Sequence, residues 1–224
     1  MRRNRKIFPW MAVLVPVLLC AGAVPASADE ILPTLEQIFD RYVDAMGGRE
    51  AIAKLETRTI TGKQIDDRPS MGPPEESKLE AWADTSGEWT MILSDSQRVF
   101  RLGAQGNNKL AFLLNPQGPL MIERYFPNPR MTGTWDYDGV LYYKVENDLK
   151  FEYYTLYFEV ETGMLTRIGY HWYLDDFRPV DGVMVPGVVY QGRKGGSTNL
   201  YFENVIHGED VAEHLLPEEK PVDE

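Results

Sequence analysis

After residue 56 the chain is a succession of short β-forming runs, and this pattern constrains its fold more than any other feature. Turn-forming residues such as Glu161-Thr162-Gly163 separate the runs, and no stretch between them is long enough for a crossover helix. The predicted strands are Thr57–Gln64, Lys78–Asp84, Glu88–Ser94, Arg98–Leu102, Leu110–Asn115, Leu120–Phe126, Val140–Val145, Phe151–Val160, Leu165–Leu174, Val183–Gln191 and Thr198–Ile206. Without crossover helices, neighbouring strands pair antiparallel, so the sequence predicts one large antiparallel sheet.

A clear amphipathic helix precedes these strands. Thr34 and Gln37 are spaced as a capping box at its start, and Gly47-Gly48 ends it because glycine readily adopts the left-handed conformation. Its apolar stripe consists of Leu35, Ile38, Phe39, Tyr42, Val43 and Met46. A short second helix is predicted over Arg49–Leu55. The stripe has to be buried, and the concave face of a curved sheet is the natural place for it.

The predicted fold class is therefore α+β: a curved half-barrel of about 11 antiparallel strands, with an N-terminal helical hairpin plugging its concave face. One amphipathic helix is a small plug for a sheet of this width, so we expect an internal apolar hollow. Two proline-rich segments, Asp66–Glu76 and Pro127–Asp138, are predicted to be irregular loops. The acidic tail Leu216–Glu224 is predicted to fray.

The first 28 residues have the composition of a secretory signal peptide. Four basic residues are followed by an apolar run from Ile7 to Leu19, and Ala26-Ser27-Ala28 forms a small-x-small cleavage site. We expect cleavage after Ala28, export to the periplasm, a single domain over residues 29–216 and a flexible tail over 217–224. The alternatives are lipidation at Cys20 and an uncleaved membrane anchor, although the run is shorter than the ~20 residues that span a bilayer.

The chain carries a net charge of −11, and the expected mature chain is more acidic still. The four basic residues leave with the signal, so 19 basic and 34 acidic residues remain, which gives a net charge of −15. A surface of this sign argues against nucleic acid and against anionic membranes as partners. Cys20 also leaves with the signal, so no disulfide, thiol nucleophile or cysteine metal site is expected.

Segments near both ends of the expected mature chain resemble exported proteins related to the LolA/LolB lipoprotein carriers. The first, Tyr42–Leu55, joins the Gly-Gly helix end to a Thr-rich strand. The second, Asp175–Pro186, has an Asp-Gly turn before a strand that ends in proline, and the Phe158–Arg167 hairpin with its Thr-Gly turn is also similar. Residues from Pro69 to Tyr137 match poorly. The resemblance implies a half-closed β-barrel whose hollow binds acyl chains, lipoprotein anchors or other lipids, and it transfers no catalytic motif or ligand-binding residue.

No catalytic or metal-binding site is predicted. The three histidines, His171, His207 and His214, do not have the spacing of metal ligands. The paired carboxylates, Asp175-Asp176 among them, lie in predicted turns, where aspartate bonds to the local backbone. A hydrolase that works through such carboxylates is the alternative with the least support, because it needs two of them facing one cleft.

Aromatic residues are the main chemical signal of the strands. In Tyr153–Phe158 both strand faces are large and apolar, so one face can pack on the helices while the other meets solvent or a partner. The predicted ligand-binding residues are Phe39 and Tyr42 from the helix and Trp89, Met91, Phe100, Leu102, Phe112 and Leu114 from the strands. Strand alternation assigns the six strand residues to one apolar wall. A register error of one residue would turn their side chains to the other face of the sheet.

Together these features predict a monomeric, non-enzymatic envelope protein that needs no cofactor. It would bind acyl chains or a lipid-anchored protein, to carry or sense them, and exchange them with an inner- or outer-membrane partner protein. Burial of acyl surface would drive binding, at about 0.8 kcal/mol per CH₂. The alternative is a sensor or scaffold of the same fold that binds another envelope protein, with a filled core and an exposed apolar patch.

Overall fold

The computed structural model describes residues 32–67, 75–96, 98–103, 107–149, 154–192, 198–208 and 212–216. The predicted signal peptide, its cleavage site, Cys20 and the tail beyond residue 216 lie outside them. The helices are α1 (Leu35–Ala45), α2 (Arg49–Ala53), α3 (Asn108–Leu114) and α4 (Ile122–Tyr125), with 3₁₀ turns at Gly118–Leu120 and Glu213–Leu215. Among the described residues, no helix has the length and apolar character that a membrane crossing requires.

In the part of the chain that the structure describes, eleven strands form one antiparallel sheet, as the sequence predicts. The strands are β1 (Thr57–Asp66), β2 (Glu75–Asp84), β3 (Trp89–Ser94), β4 (Val99–Gly103), β5 (Arg130–Tyr137), β6 (Val140–Glu146), β7 (Leu156–Glu159), β8 (Leu165–Ile168), β9 (Trp172–Val180), β10 (Val183–Gln191) and β11 (Thr198–His207). Their spatial order is β4-β3-β2-β1-β11-β10-β9-β8-β7-β6-β5. The sheet is not closed, because β4 and β5 lie at its opposite edges, and the fold is the predicted α+β half-barrel.

Helix α1 begins and ends as its sequence predicts. The Thr34 hydroxyl accepts a hydrogen bond from the Gln37 amide at 3.2 Å, and the Gln37 side chain accepts one from the Thr34 amide at 2.9 Å, which completes the capping box. Beyond the helix, Gly47 and Gly48 have φ angles of +115° and +89°. A Cβ atom at Gly47 would lie 2.2 Å from the Gly182 carbonyl oxygen, so this position requires glycine.

One face of the sheet packs against the helices and forms the core. The buried apolar residues of α1 and the residue after it are Ile38, Tyr42, Val43 and Met46. The sheet contributes Ile60, Leu79, Ala81, Met91, Leu156, Phe158, Leu165, Ile168, Val189, Leu200 and Phe202. The rings of Phe39 and Tyr42 both pack on Phe158, with centroids 5.8 and 5.4 Å apart. The stripe of α1 is thus buried against the sheet.

Two predicted strands are helical in the structure. The first, Leu110–Asn115, lies in α3 up to Leu114, and the second, Leu120–Phe126, contains the end of the 3₁₀ turn and all of α4. The buried apolar residues of α3 are Leu110, Phe112, Leu113 and Leu114. A run that is apolar on every side has no useful period, so its sequence does not separate a buried helix from a buried strand. These helices pack on the same core as α1 and fill it more completely than the N-terminal helices alone would.

Other strand boundaries also differ from the prediction. The predicted loop Pro127–Asp138 contains edge strand β5, which starts just after its prolines and absorbs an irregularity at Gly133. The predicted strand Leu165–Leu174 is divided into β8 and β9 by a turn at 169–171. Among the described residues, two predicted strands are helical and two strands were not predicted separately, so the number of strands is still eleven.

Two further predictions fall partly outside the described residues. Of the predicted strand Phe151–Val160, β7 covers the part from Leu156 onward, while 151–153 are not described. Of the predicted loop Asp66–Glu76, residues 68–74 are not described, and the ends of the segment belong to β1 and β2. The prediction of a loop is therefore wrong for Asp66, Glu75 and Glu76.

Candidate ligand site

In the described part of the chain, two clefts adjoin α1. The first, of about 860 Å³, lies between the end of α1 and strands β5 to β10. The second, of about 680 Å³, lies between α1 and residues 119–124. A gap of about 20 Å³ beside Tyr42 shares Leu174, Phe177 and Met184 with the first cleft and Pro119 with the second. The two clefts and the narrow gap between them replace the predicted central hollow.

The first cleft is lined by an apolar and a polar set of residues, which we call its apolar wall and its polar wall. Its apolar side chains are Ala45, Val140, Met164, Leu174, Phe177 and Met184. Its polar side chains are Tyr137, Asp138, Tyr142, Glu159, Thr162, Thr166, Arg167, Tyr173 and Asp175. The two walls suit a ligand that has an apolar part and a polar part.

This cleft enters the sheet where two neighbouring strands part. Strand β8 pairs with β9 at Trp172 and Tyr173, and β9 runs past that pairing to Val180. Tyr173 and Leu174 are consecutive in β9, so their side chains point to opposite faces, yet both line the cleft. The cleft therefore reaches both faces of the sheet through the opening beside β9.

The end of α1 is attached to the β9–β10 hairpin at the edge of the first cleft. The Met184 amide donates a hydrogen bond to the Met46 carbonyl at 2.9 Å. The Arg41 guanidinium donates one to the Glu161 carbonyl, also at 2.9 Å. Because Met184 is both an anchor of α1 and part of the cleft wall, the position of α1 and the shape of the cleft depend on each other.

The second cleft is apolar at its base and charged at its rim. Its apolar residues are Leu35, Phe39, Val43, Pro119, Leu120, Met121 and Ile122. Its charged residues are Glu36, Asp40, Arg49, Glu123 and Arg124. Arg49 and Asp40 form an exposed ion pair at 3.3 Å, which contributes little to stability.

The structure separates the predicted ligand-binding residues into three groups. Tyr42, Trp89, Met91, Phe112 and Leu114 are buried in the core. Phe39 lines the second cleft, while Tyr42 and Phe112 also line the narrow gap. Phe100 and Leu102 lie on edge strand β4 and are 54% and 41% exposed. None of the eight lines the first cleft as the described residues form it, so the sequence missed that lining.

The strand assignments behind these residues agree with the structure in β3 and β4 and disagree in α3. Met91 lies opposite Leu102, and Leu93 lies opposite Phe100, so Met91, Phe100 and Leu102 share one face of the sheet. Phe112 and Leu114 lie in a helix, so strand alternation does not apply to them. Ligand binding by these eight residues stays a prediction.

The polar wall of the first cleft contains a buried arginine surrounded by aromatic rings, which we call the Arg167 box. Its members are Arg167, Trp135, Tyr137, Tyr157 and Tyr173. The guanidinium carbon lies 4.7 Å from the ring centroid of Trp135, 4.2 Å from that of Tyr137, 5.5 Å from that of Tyr157 and 4.3 Å from that of Tyr173. Arg167 is 2% exposed. These distances are those of cation–π interactions.

One sequence feature, the large side chains on both faces of a predicted strand, pointed to the Arg167 box. The sequence predicted large side chains on both faces of Tyr153–Phe158, and in the structure Leu156 and Phe158 join the core while Tyr157 takes the other face and meets Arg167. A buried cation opposite that second face was the part that strand patterns did not reveal.

A second buried cation, Lys109 of α3, is also held by aromatic rings. Its Nζ atom lies 5.1 Å from the ring centroid of Tyr154 and 5.3 Å from that of Trp172. Burial lowers the pKa of Lys109 to about 8. The charged form of Lys109 therefore still predominates at pH 7, and it is lost at a lower pH than in an exposed lysine.

A polar chain crosses the edge of the core from Asp181 to Arg58. Arg58 donates hydrogen bonds to His207 Nε2 at 3.1 Å and to the Leu113 carbonyl at 2.9 Å. Since Nε2 accepts, the proton of neutral His207 is on Nδ1, which lies 3.0 Å from Asp181 Oδ2 and donates to it. Burial lowers the pKa of Arg58 to about 10 and raises that of Tyr42 beside it. These groups stabilise the fold and do not line the first cleft.

Comparisons with protein-family models and with curated proteins find no match for the chain. The chain is similar to the crystal structure of a DUF1329 family protein from Desulfovibrio piger, with 12% identity, coverage of 81% of this chain and 96% of that one, and a TM-score of 0.47. For a LolA superfamily protein from Nitrosomonas europaea, the identity is 10%, the coverage 82% and 97%, and the TM-score 0.48.

A more distant match is the Pseudomonas aeruginosa MucA/MucB complex, with 13% identity, coverage of 79% of this chain and 59% of that one, and a TM-score of 0.27. The LolA superfamily is the group that the sequence motifs resemble. At TM-scores below 0.5, these likenesses carry no conclusion on function.

Proposed function

We propose that this chain is an exported binding protein that holds the acyl chain of a lipid or of a lipid-anchored protein in the first cleft. The observation that carries the proposal is the cleft itself, with its volume of about 860 Å³ and an apolar wall that includes Leu174, Phe177 and Met184. Small-molecule sites in proteins span roughly 300–1,000 Å³ and are lined mainly by apolar side chains. The resemblance of the sequence motifs to lipoprotein carriers supports the same class of ligand.

Acyl burial provides the affinity in this proposal. Each buried methylene contributes about 0.8 kcal/mol, which is about a fourfold gain in affinity. The affinity of a fatty-acid series is expected to rise with chain length until the cleft is full and then to level off. The methionines of the wall, Met164 and Met184, allow chains of different shape to pack against it.

Helix α1 serves as the gate in this proposal. The gap of about 20 Å³ beneath it is too narrow for an acyl chain, but it touches residues of both clefts. A small outward movement of α1 would join the two clefts into one apolar channel and open a route for uptake and release. Such a movement would break the hydrogen bond from Met184 to Met46 and the one from Arg41 to Glu161.

The setting of this activity is proposed from the N-terminal sequence. A chain with a cleavable signal after Ala28 would act in the periplasm, where a carrier receives its cargo from one membrane and delivers it to a partner at the other. Binding and release of an acyl chain make or break no covalent bond, so the proposed function requires no cofactor.

A second candidate is a sensor or scaffold that binds another envelope protein. It is favoured by edge strand β4, where Val99, Phe100 and Leu102 are 71%, 54% and 41% exposed. An exposed apolar edge strand offers unpaired backbone groups to another strand. In this alternative the clefts stay empty, and binding is abolished by charged residues in β4.

The lipid proposal is tested by filling the first cleft. Ala45 lines it at the end of α1, so Ala45→Phe should occupy its apolar wall and weaken binding of a fluorescent fatty acid at least tenfold. Ala53→Phe is the matched control, because Ala53 is the last residue of α2, is exposed and lines neither cleft. Both variants are compared with the unmodified protein by fluorescence titration, after urea unfolding has shown equal stability.

Equal affinity in all three proteins would contradict the assignment to the first cleft. If the unmodified protein fails to bind any fatty acid from octanoate to palmitate, the lipid proposal is wrong and the scaffold alternative takes its place. A Phe100→Asp variant that binds the fatty acid normally would show that the β4 edge is not the lipid site.

A further inference from the structure

The buried guanidinium of Arg167 has an incomplete set of partners. Its Nη2 group donates to the Tyr173 hydroxyl at 3.0 Å, while Nε and Nη1 have no hydrogen-bond partner among the described residues. Within that part of the chain, no carboxylate pairs with it either. A buried cation normally has a paired anion or a full set of hydrogen bonds, so this one is unusual.

The aromatic rings compensate only part of this cost. Four rings within 5.5 Å of the guanidinium carbon stabilise its charge, but a ring face is a weaker acceptor than a carboxylate or phosphate. If packing alone were required, a methionine would fill the same space without burying a charge. The arginine is therefore better explained by an anionic partner that is not part of this chain.

The position of Arg167 indicates that this anionic partner lies in the first cleft. Arg167, Tyr137 and Tyr173 all line the polar wall of the first cleft. The Tyr173 hydroxyl accepts a hydrogen bond from Arg167, and burial, with the neighbouring Tyr137, raises the pKa of Tyr173, so this hydroxyl keeps its proton at neutral pH. The Tyr137 ring packs on the same guanidinium, and Tyr137 is 41% exposed. This arrangement offers donors to an anion inside the cleft.

We infer that the Arg167 box binds the anionic group, a carboxylate or a phosphate, of an amphiphile whose acyl chain lies along Leu174, Phe177 and Met184. This inference rests on the proposed function and adds the chemical class of the ligand's head. Guanidinium is the side chain best suited to both anions, because its N–H groups match two oxygens at once.

The carboxylates of the cleft restrict which anions bind. Asp138, Glu159 and Asp175 also line it. Glu159 accepts hydrogen bonds from Thr162 at 2.8 Å and from Thr166 at 3.1 Å, so it is held at the wall. Carboxylates in the same cleft disfavour small free anions, and an anion whose apolar chain adds binding free energy overcomes that repulsion. Acetate and inorganic phosphate are therefore expected not to bind.

The test compares ligands that differ only in their head. Dodecanoate and dodecyl phosphate, below their micelle concentrations, and dodecanol, below its solubility limit, are titrated into the unmodified protein at neutral pH by calorimetry. We expect both anions to bind at least tenfold more tightly than dodecanol, and the tighter of the two identifies a carboxylate or a phosphate as the natural head. Equal affinity for all three would overturn this inference and leave the proposed function standing. Binding of none would overturn both.

Variants connect the preference to the box. Arg167→Met should remove the preference for the anions and leave dodecanol binding unchanged. Arg130→Met is the matched control, because Arg130 is an exposed arginine of β5 paired with Asp148. Tyr137→Phe keeps the ring and removes the hydroxyl, so it should reduce anion affinity a few-fold. This variant provides the test if Arg167→Met does not fold. An anion preference that survives both Arg167→Met and Tyr137→Phe would overturn the assignment.

Discussion

Buried cations set this core apart at the scale of single residues. Arg58, Lys109 and Arg167 are 4%, 9% and 2% exposed. Arg58 bonds to His207 and a backbone carbonyl, whereas Lys109 and Arg167 are held by aromatic rings. Isolated buried charges cost several kcal/mol, so these rings stabilise charge as well as filling space. Part of the aromatic content of the strands is therefore explained by the cations that the strands enclose.

Acidification is expected to destabilise the fold through His207. Burial lowers the pKa of this histidine, the Arg58 charge lowers it further, and Asp181 opposes both. The folded state therefore holds fewer protons on His207 than the unfolded state, whose pKa is about 6.5. The contribution of His207 is fully present above pH ~6.5 and is lost as pH falls through its lower folded pKa. The measurement is the free energy of urea unfolding between about pH 5 and 8.

Two variants isolate this effect. His207→Gln keeps an acceptor for Arg58 and a donor for Asp181 but does not titrate, so stability should vary less with pH in this range. His171→Gln, at an exposed histidine, is the control and should behave like the unmodified protein. If His207→Gln keeps the full pH dependence, another group is responsible.

At the scale of elements, prediction succeeded where a segment has two distinct faces. Helix α1 is buried on one face, and the first four residues of strand β1 alternate between partly buried and buried, so periods of 3.6 and 2 are visible in their sequences. Helix α3 is apolar on all sides, and strand β5 follows prolines and contains Gly133, so both were misassigned. The first cleft was missed for another reason. It lies where β9 extends beyond its pairing with β8, and the length of that pairing is not visible in the sequence of either strand.

The contact between the end of α1 and the β9–β10 hairpin is expected to be intolerant of any side chain at Gly47. Gly47→Ala places a Cβ atom 2.2 Å from the Gly182 carbonyl oxygen at a φ of +115°, so it should lower the free energy of unfolding by about 3 kcal/mol or more. Gly48→Ala is the control: its φ of +89° and ψ of 154° also disfavour a side chain, but no described atom lies within 4 Å of the added Cβ, so a smaller loss of about 1–3 kcal/mol is expected. Equal losses, measured by urea unfolding, would mean that the close approach does not matter.

At the scale of the whole sheet, the chain is organised around the pairing of β1 with β11. Strands β1 to β4 extend to one edge, and β5 to β11 return from the other, so α1 lies over strands from distant parts of the sequence. The apolar and polar walls of the first cleft come from α1 and from β5 to β10. In the proposed function, ligand binding is thus a property of the assembled sheet, so a local sequence motif is not expected to reveal the cleft.

Native mass spectrometry shows whether this sheet and α1 hold an acyl chain, as we propose. The protein is expressed with its full N-terminal sequence, purified from the cell envelope without detergent and weighed intact, and the bound material is then extracted and identified. We predict a mature chain that starts at Asp29 and carries one acyl-bearing amphiphile with an anionic head. If the purified protein is empty and also takes up no added fatty acid, the sheet and α1 do not hold an acyl chain and the proposed function is wrong.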